Sequence, residues 1–307
     1  MSNKILFLYF KQKHKTELMK CESIIKVLFR KFRKSVVFSY MQIDTSSSCR
    51  EAFMKVLFEE INRHHAILIK GDTESFSEER TLFKEILELK ASEHHTLGKV
   101  ICSPAVEKTF KSSDNSVSEI YTASMENLNY AAELSVKLSR SRKHLLTICT
   151  KPENIVDTTL FHAVEDACNK SMHINSEHIS FDRMIYLCTK TVPSFDTVLA
   201  TEEISKVISA HLDASARICS GHTVLHTERG KFYMSRTSFA EEMSNAHFAS
   251  VLLTFSEILY EEFNMKNACD WLRKAVATSF ETHAFTPFDE FSNKVISEIQ
   301  KPMRYTR

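Results

Sequence analysis

Glycine is so scarce in this chain that whole classes of ligand-binding loop are excluded. The 307 residues contain four glycines, at Gly71, Gly98, Gly221 and Gly230, where an average protein of this length carries roughly 20. Glycine allows the backbone to approach a phosphate closely or to adopt a positive φ at a tight turn. No G-x-G-x-x-G, G-x-x-x-x-G-K-[ST] or G-x-S-x-G motif can be written with glycines at these positions. Glycine-rich phosphate loops and the nucleophile elbow are therefore excluded.

Charge and composition indicate a globular protein without a general affinity for nucleic acid. Apolar residues make up 43% of the chain, and 40 basic residues oppose 39 acidic ones. This length and composition suit one large or two medium domains, and the near-neutral balance provides no field that attracts nucleic acid. The basic run Arg30–Lys34 is either a phosphate-binding patch or the solvated end of a helix, where cations suit the helix dipole. We favour the second interpretation.

The cysteines and the apolar runs bear on compartment and on membranes. The eight cysteines form no C-x-x-C pair, which indicates reduced thiols in a cytosolic or organellar compartment. The early apolar run, Ile5–Phe10, is too short to span a bilayer, so we expect no membrane partner. Two histidine pairs, His64-His65 and His94-His95, lack further ligands at zinc-binding spacing.

The apolar patterning predicts an α/β fold. The first 70 residues show a strand–helix–strand–helix–strand order, which favours a mostly parallel sheet. Residues 99–121 have the least regular pattern. Further along, the pattern predicts helices at 125–140 and 158–169, strands at 144–149, 183–189 and 195–200, and helices at about 238–262, 267–281 and 287–300.

Several stretches carry a resemblance to the isocitrate and isopropylmalate dehydrogenases. Lys143–Asp157 (KHLLTICTKPENIVD) resembles the family segment in which a strand ends in a lysine followed by Asn and a β-branched residue, with Pro152-Glu153 replacing one alanine. His178–Asp182, Pro193–Leu199 and Val224–Tyr260 are similar to later family segments in order and spacing. Ala66–Gly71 also fits the family pattern. The Lys-Gly-Asp-Thr segment at 70–73 and the absence of the family's arginines both resemble the regulatory (β/γ-type) subunits of mitochondrial NAD-dependent isocitrate dehydrogenase.

The resemblance implies a two-domain isopropylmalate-dehydrogenase-like fold and a specific reaction. The large domain would comprise 1–98 and 219–307 with a mostly parallel sheet, and 99–218 would form a small domain with the dimer contacts. The family's reaction uses NAD, Mg²⁺ or Mn²⁺, an arginine fork for substrate carboxylates, and lysine, tyrosine and aspartate for proton transfer.

Much of this machinery is absent from the sequence. No arginine occurs between Arg80 and Arg140, where the family places its carboxylate clamps. Counting back from Lys151 places Ala123 at the family tyrosine, two residues from Tyr121.

The family's metal-binding aspartates fall on Lys206 and Ala210, where an ammonium repels a dication and a methyl group offers no ligand. On a helix we expect Glu203 to pair with Lys206. The resemblance therefore predicts no cofactor for this chain alone.

A few family positions are retained. Arg229, Gly230 and Asn245 lie where the resemblance places cofactor-binding residues. Lys151 and Asp182 match the catalytic lysine and a metal-binding aspartate that reach into the neighbouring subunit, although alignment through Tyr186-Leu187 would put Cys188 at the aspartate. The alternative is that Lys151 is an ordinary strand-end lysine and Asp182 a loop carboxylate.

Three functions are consistent with this pattern. The first is a non-catalytic, regulatory-type subunit that pairs with a related dehydrogenase subunit and lends it Lys151 and Asp182. The second is an active NAD- and Mg²⁺-dependent dehydrogenase with a rebuilt pocket, its metal held by Glu202 or Asp213. The third is a homodimeric structural or ligand-sensing protein. The resemblance implies the mitochondrial matrix, but no clear presequence is seen; otherwise the chain would be cytoplasmic.

Overall fold

The computed structural model describes residues 3–43, 50–70, 88–96, 98–113, 116–151, 154–171, 174–190, 195–215, 221–236 and 245–302. In this part of the chain the fold is α/β, with a large, mostly parallel sheet, as the sequence predicted. None of the helices described is long and apolar enough to cross a membrane.

The strands are β1 (Asn3–Tyr9), β2 (Val36–Gln42), β3 (Ala66–Lys70), β4 (Leu89–Thr96), β5 (Lys99–Pro104), β6 (Glu107–Ser113), β7 (Ser116–Thr122), β8 (Leu145–Thr150), β9 (Asn175–Ser180), β10 (Thr197–Leu199), β11 (Gly221–Thr227) and β12 (Gly230–Arg236). Ten of them form one sheet in the order β2-β1-β3-β12-β11-β4-β5-β10-β8-β9, and β6 and β7 form a separate antiparallel pair.

The helices described are α1 (Gln12–Lys31), α2 (Arg50–Arg63), α3 (Met125–Ser141), α4 (Ile155–Asn169), α5 (Phe181–Lys190), α6 (Glu202–Ser215), α7 (Ala246–Glu261), α8 (Lys266–His283) and α9 (Phe288–Gln300).

The chain divides into two compact units. Unit 1 comprises Met1–Ile86, Ile218–His222 and Lys231–Arg307, and unit 2 comprises Leu87–Arg217 and Thr223–Gly230. The predicted large domain ran to residue 98, whereas β4 lies in unit 2. The reason is the antiparallel pairing of β4 with β5, which joins Ala91 to Pro104 and Thr96 to Lys99.

Unit 1 is built around parallel strands, of which β3 is buried along its whole length and β1 over most of it. β1 pairs in parallel with β2 on one side and with β3 on the other, and β12 pairs in parallel with β3. The α1 helix buries one apolar face, with Leu18, Ile25 and Phe29 at helical spacing. The predicted strand–helix–strand order of the first 70 residues is confirmed.

Unit 2 contains a second parallel stretch. β10 lies between β5 and β8 and pairs in parallel with both, and β8 pairs in parallel with β9. The apolar faces of α3 and α4 pack on this sheet, with Leu128, Val136, Leu160 and Val164 in one buried cluster.

One local prediction for unit 2 is wrong, and the segment with the least regular pattern is largely strand. Residues 99–121 contain most of β5, β6 and β7, and β5 is buried along its whole length. Residues 183–189 belong to α5 rather than to a strand. The buried Met184 and Cys188 are four residues apart and lie on one helical face. In a short apolar run this helical spacing cannot be distinguished from the pattern of a buried strand.

Candidate functional site

The carboxyl ends of three parallel strands meet at one edge of the sheet in unit 2. β10, β8 and β9 are neighbours that run in the same direction, so the residues that follow Leu199, Thr150 and Ser180 emerge at the same edge. In open α/β sheets, ligands bind at the carboxyl ends of the strands. Lys151, Phe181 and the first turn of α6 are placed there by the chain itself.

Lys151 is fixed at this edge by both its backbone and its side chain. Its backbone N–H donates to Oδ2 of Asp157 at 2.7 Å. Its Nζ lies 3.6 Å from Oε1 of Glu203 and 5.0 Å from the centroid of the Phe181 ring. The hydroxyl of Tyr121 donates to Oε2 of Glu203 at 3.2 Å. We refer to Tyr121, Lys151, Asp157 and Glu203 as the Lys151 cluster.

Asp157 forms the buried base of the cluster. Burial raises the pKa of its carboxyl group, although hydrogen bonds from the Lys151 backbone and the Thr201 side chain act in the opposite direction. Within the part of the chain that the structure describes, its Oδ1 is buried without a hydrogen-bond partner. A carboxyl group in these surroundings is less readily charged than one in water.

Glu203 does not pair with Lys206, contrary to the prediction from helical spacing. Lys206 instead pairs with Glu202, with Nζ and Oε1 2.9 Å apart, because these residues are one full turn apart on α6. Glu203 turns to Lys151 and Tyr121, which are 52 and 82 positions away in the sequence. The sequence places Tyr121 near the position of the family tyrosine, but no sequence pattern links Tyr121 to Glu203.

The positions that the resemblance assigns to a metal do not fit one. Lys206 presents an ammonium group that is already paired with Glu202, and Ala210 is exposed on the same helix. A dication at this place would have to displace a cation. Among the residues described, no group of three histidine, cysteine, aspartate or glutamate side chains is arranged to hold a metal ion.

Asp182 lies in the first turn of α5, one residue beyond Phe181. Its side chain is exposed, and the contacts of the residues described include none between Asp182 and Lys151. The strand ends bring both residues to the same edge, but only Lys151 has partners in the cluster.

The residues assigned to a dinucleotide are divided between the two units. Arg229 and Gly230 lie at the turn between β11 and β12, where Gly230 has a φ of 124°. Asn245 is fully buried, and its amide donates to the carbonyls of His283 and Thr286 at 2.8 Å each. The Asn245 amide thereby fixes the connection between α8 and α9, so it does not fit a cofactor contact.

Unit 2 also contains a buried histidine–carboxylate cluster that the sequence did not predict. Glu93 on β4 accepts a hydrogen bond from His95 at 2.9 Å and is bonded to His226 on β11, whose other ring nitrogen meets the Tyr130 hydroxyl at 3.2 Å. Burial opposes ionisation of Glu93, but the two histidines outweigh it and hold its pKa far below the usual range. His95 therefore binds a carboxylate within the protein.

Comparison with known proteins defines the fold but not the activity. No protein-family model matches the sequence, and no curated protein matches it. Among solved structures, the chain is similar to the TT0538 protein from Thermus thermophilus, with a TM-score of 0.75 and 14% sequence identity. The match covers 98% of this chain and 69% of that one.

Proposed function

We propose that this chain is a non-catalytic, regulatory-type member of the group formed by the isocitrate and isopropylmalate dehydrogenases, and that it pairs with a related catalytic subunit. In this proposal the chain retains the lysine it lends to a neighbour and has lost the groups it would use itself. By the same resemblance, its place would be the mitochondrial matrix.

The observation that carries the proposal is the ion pair between Lys206 and Glu202. It occupies the helix turn where the resemblance expects carboxylates that bind Mg²⁺, and it replaces a site for a dication with a neutral pair. The lack of any arginine between Arg80 and Arg140 supports the same conclusion, because a lysine does not reproduce the planar fork that holds a carboxylate in two hydrogen bonds.

Lys151 is suited to the role of a lent residue. It follows directly on a buried strand, so its backbone position is rigid, and its side chain is 39% exposed. An ammonium group in such a place can reach a ligand bound by another subunit and transfer a proton there. Asp182, exposed at the same edge, would be lent together with it as a metal ligand, as the resemblance implies.

The test combines the chain with the catalytic subunit of an NAD-dependent isocitrate dehydrogenase. We expect a hetero-oligomer by size-exclusion chromatography with light scattering. Lys151→Met should lower turnover of that complex by about 100-fold, the range of general acid–base catalysis, without loosening assembly. Lys137→Met, which removes an exposed lysine from α3, should leave turnover unchanged.

Three results would count against the proposal. Unchanged turnover in an assembled Lys151→Met complex would exclude the lending of Lys151. A stable self-dimer that never binds the catalytic subunit would favour the structural or ligand-sensing alternative. Mg²⁺-dependent reduction of NAD by the isolated chain would show an active enzyme.

A further inference from the structure

The arrangement of donors around Glu203 is that of a carboxylate-binding site. Oε2 of Glu203 accepts from the Tyr121 hydroxyl at 3.2 Å, and Oε1 lies 3.6 Å from the Lys151 ammonium. Thus one neutral donor and one cation, brought together from two distant segments, converge on the two oxygens of a single carboxylate. Charge-assisted contacts of this kind are the usual means of recognising an anionic ligand. Here the carboxylate belongs to the protein.

The location supports a ligand-binding role for these donors. Lys151 and Glu203 lie just beyond the carboxyl ends of β8 and β10, the place where open parallel sheets bind ligands, and Tyr121 approaches from the end of β7. The Glu203 side chain is 49% exposed and that of Lys151 39%, so both side chains are within reach of solvent. An ion pair in the protein core would be inaccessible to a competing ligand, whereas the Lys151–Glu203 pair is accessible.

Glu203 is the carboxylate that forms the ion pair with Lys151, at 3.6 Å. Glu202 is neutralised by Lys206. Asp157 also interacts electrostatically with Lys151, and burial raises the pKa of its carboxyl group.

We infer that Glu203 is an internal occupant of this site: its carboxylate fills the place where a ligand carboxylate would pair with Lys151 and accept from Tyr121, and so keeps carboxylate ligands out. This inference deepens the proposed function, because it concerns the lysine assigned there as the lent residue. An exposed ion pair contributes little free energy, so the occupant is displaceable and the site is closed only weakly.

The experiment measures binding of succinate to the isolated chain by NMR titration, following the amide signals of Lys151 and its neighbours. We expect Glu203→Gln and Glu203→Ala to bind succinate about fivefold more tightly than the natural chain, because no internal carboxylate competes or repels. Succinamide, uncharged and of similar size, should bind to none of them. Both substitutions lie on the exposed side of α6, and thermal melts check that the fold is kept.

Two further variants separate a specific effect from a change in net charge. Glu165→Gln removes one exposed acidic group from α4 and should leave succinate affinity unchanged. Combining Lys151→Met with Glu203→Gln should abolish the gain, because the cation that holds the carboxylate is gone.

Equal succinate binding with and without Glu203, no binding to any variant, or a gain that survives Lys151→Met would overturn the inference. The succinate titration uses the isolated chain without a partner subunit. Its failure therefore leaves the proposed pairing with a catalytic subunit untouched, and failure of that pairing leaves the inference about Glu203 untouched.

Discussion

Arg142 holds the Asp196 carboxylate at the amino end of β10. Its Nε and Nη2 lie 2.9 and 3.0 Å from the two carboxylate oxygens, and Nη2 also donates to the Gly98 carbonyl. Asp196 is almost completely buried. The Phe195-Asp196 strand was one of the sequence features that carried the family resemblance, and the structure gives this aspartate a structural task.

We expect Asp196→Asn to lower the free energy of unfolding at pH 7 by about 2–4 kcal/mol, since it leaves a guanidinium without its counter-charge. Burial acts to raise the pKa of Asp196, but Arg142 outweighs it and holds that pKa below its usual value. The carboxylate therefore contributes fully above the unfolded-state pKa, and its contribution is lost as the pH falls through the folded-state value.

Urea unfolding at pH 7 and at pH 3 measures this contribution. The difference between the natural chain and Asp196→Asn should be largest at pH 7 and should shrink at the lower pH. The control is Asp166→Asn, which changes an exposed aspartate on α4. A difference that stays constant between the two pH values would exclude the ionised carboxylate as its source.

At the scale of elements, Lys31 ties α1 to the last two helices of unit 1. Its ammonium donates to the carbonyls of Ile299 and Lys301, the latter at 2.6 Å, and lies 3.9 Å from the centroid of the Trp271 ring. The Trp271 indole in turn donates to the carbonyls of Glu298 and Ile299. The end of α9 is thus capped by side chains from α1 and α8.

Lys31→Met should destabilise the chain by about 1–3 kcal/mol, because it removes charge-assisted hydrogen bonds and a cation–π contact together. Trp271 is the single tryptophan of the sequence, so its fluorescence reports directly on this junction. We expect altered emission and a lower unfolding midpoint for Lys31→Met. Lys34→Met, at an exposed position three residues on, should change neither; equal effects of both would refute the cap.

Elements with a long periodic pattern were predictable, and those with a short one were not. The α1 helix repeats its apolar face over 20 residues, which a strand cannot imitate. The α5 helix has only 10 residues, and its consecutive Met184, Ile185, Tyr186 and Leu187 equally suit a strand. For such a segment the choice between helix and strand depends on the elements that pack against it in the fold.

For the complete fold, the order of helix and strand patterns along the chain was enough to predict the fold class. The geometry of the candidate site depended instead on which strands pair and in which register. Alternation of strands and helices predicts a parallel sheet whatever the details. The meeting of Glu203 with Lys151 requires β10 to pair with β8 so that Leu199 lies opposite Ile148, and no local pattern encodes that pairing. Helical spacing alone therefore assigned Glu203 to the wrong lysine.

In the proposed function, the chain lacks both the metal ligands and the arginine fork of the family. Restoring the metal ligands alone should therefore not restore catalysis. In the double variant Lys206→Asp with Ala210→Asp, carboxylates would stand one turn apart on α6, and Glu202 would lose its ammonium partner. We expect Mn²⁺ affinity, measured by electron paramagnetic resonance, to rise by about tenfold. Reduction of NAD with isocitrate should stay undetectable.

The reason is that a metal without the arginine fork cannot orient the substrate carboxylates, and no arginine stands between Arg80 and Arg140 to supply it. The matched control is Lys206→Met with Ala210→Met, which removes the ammonium without adding ligands and should bind no more Mn²⁺ than the natural chain. Turnover in the aspartate variant would mean that the substrate carboxylates are held without the arginine fork. The missing metal ligands alone would then account for the absence of catalysis, and the proposal that several parts of the active site have been lost would be wrong.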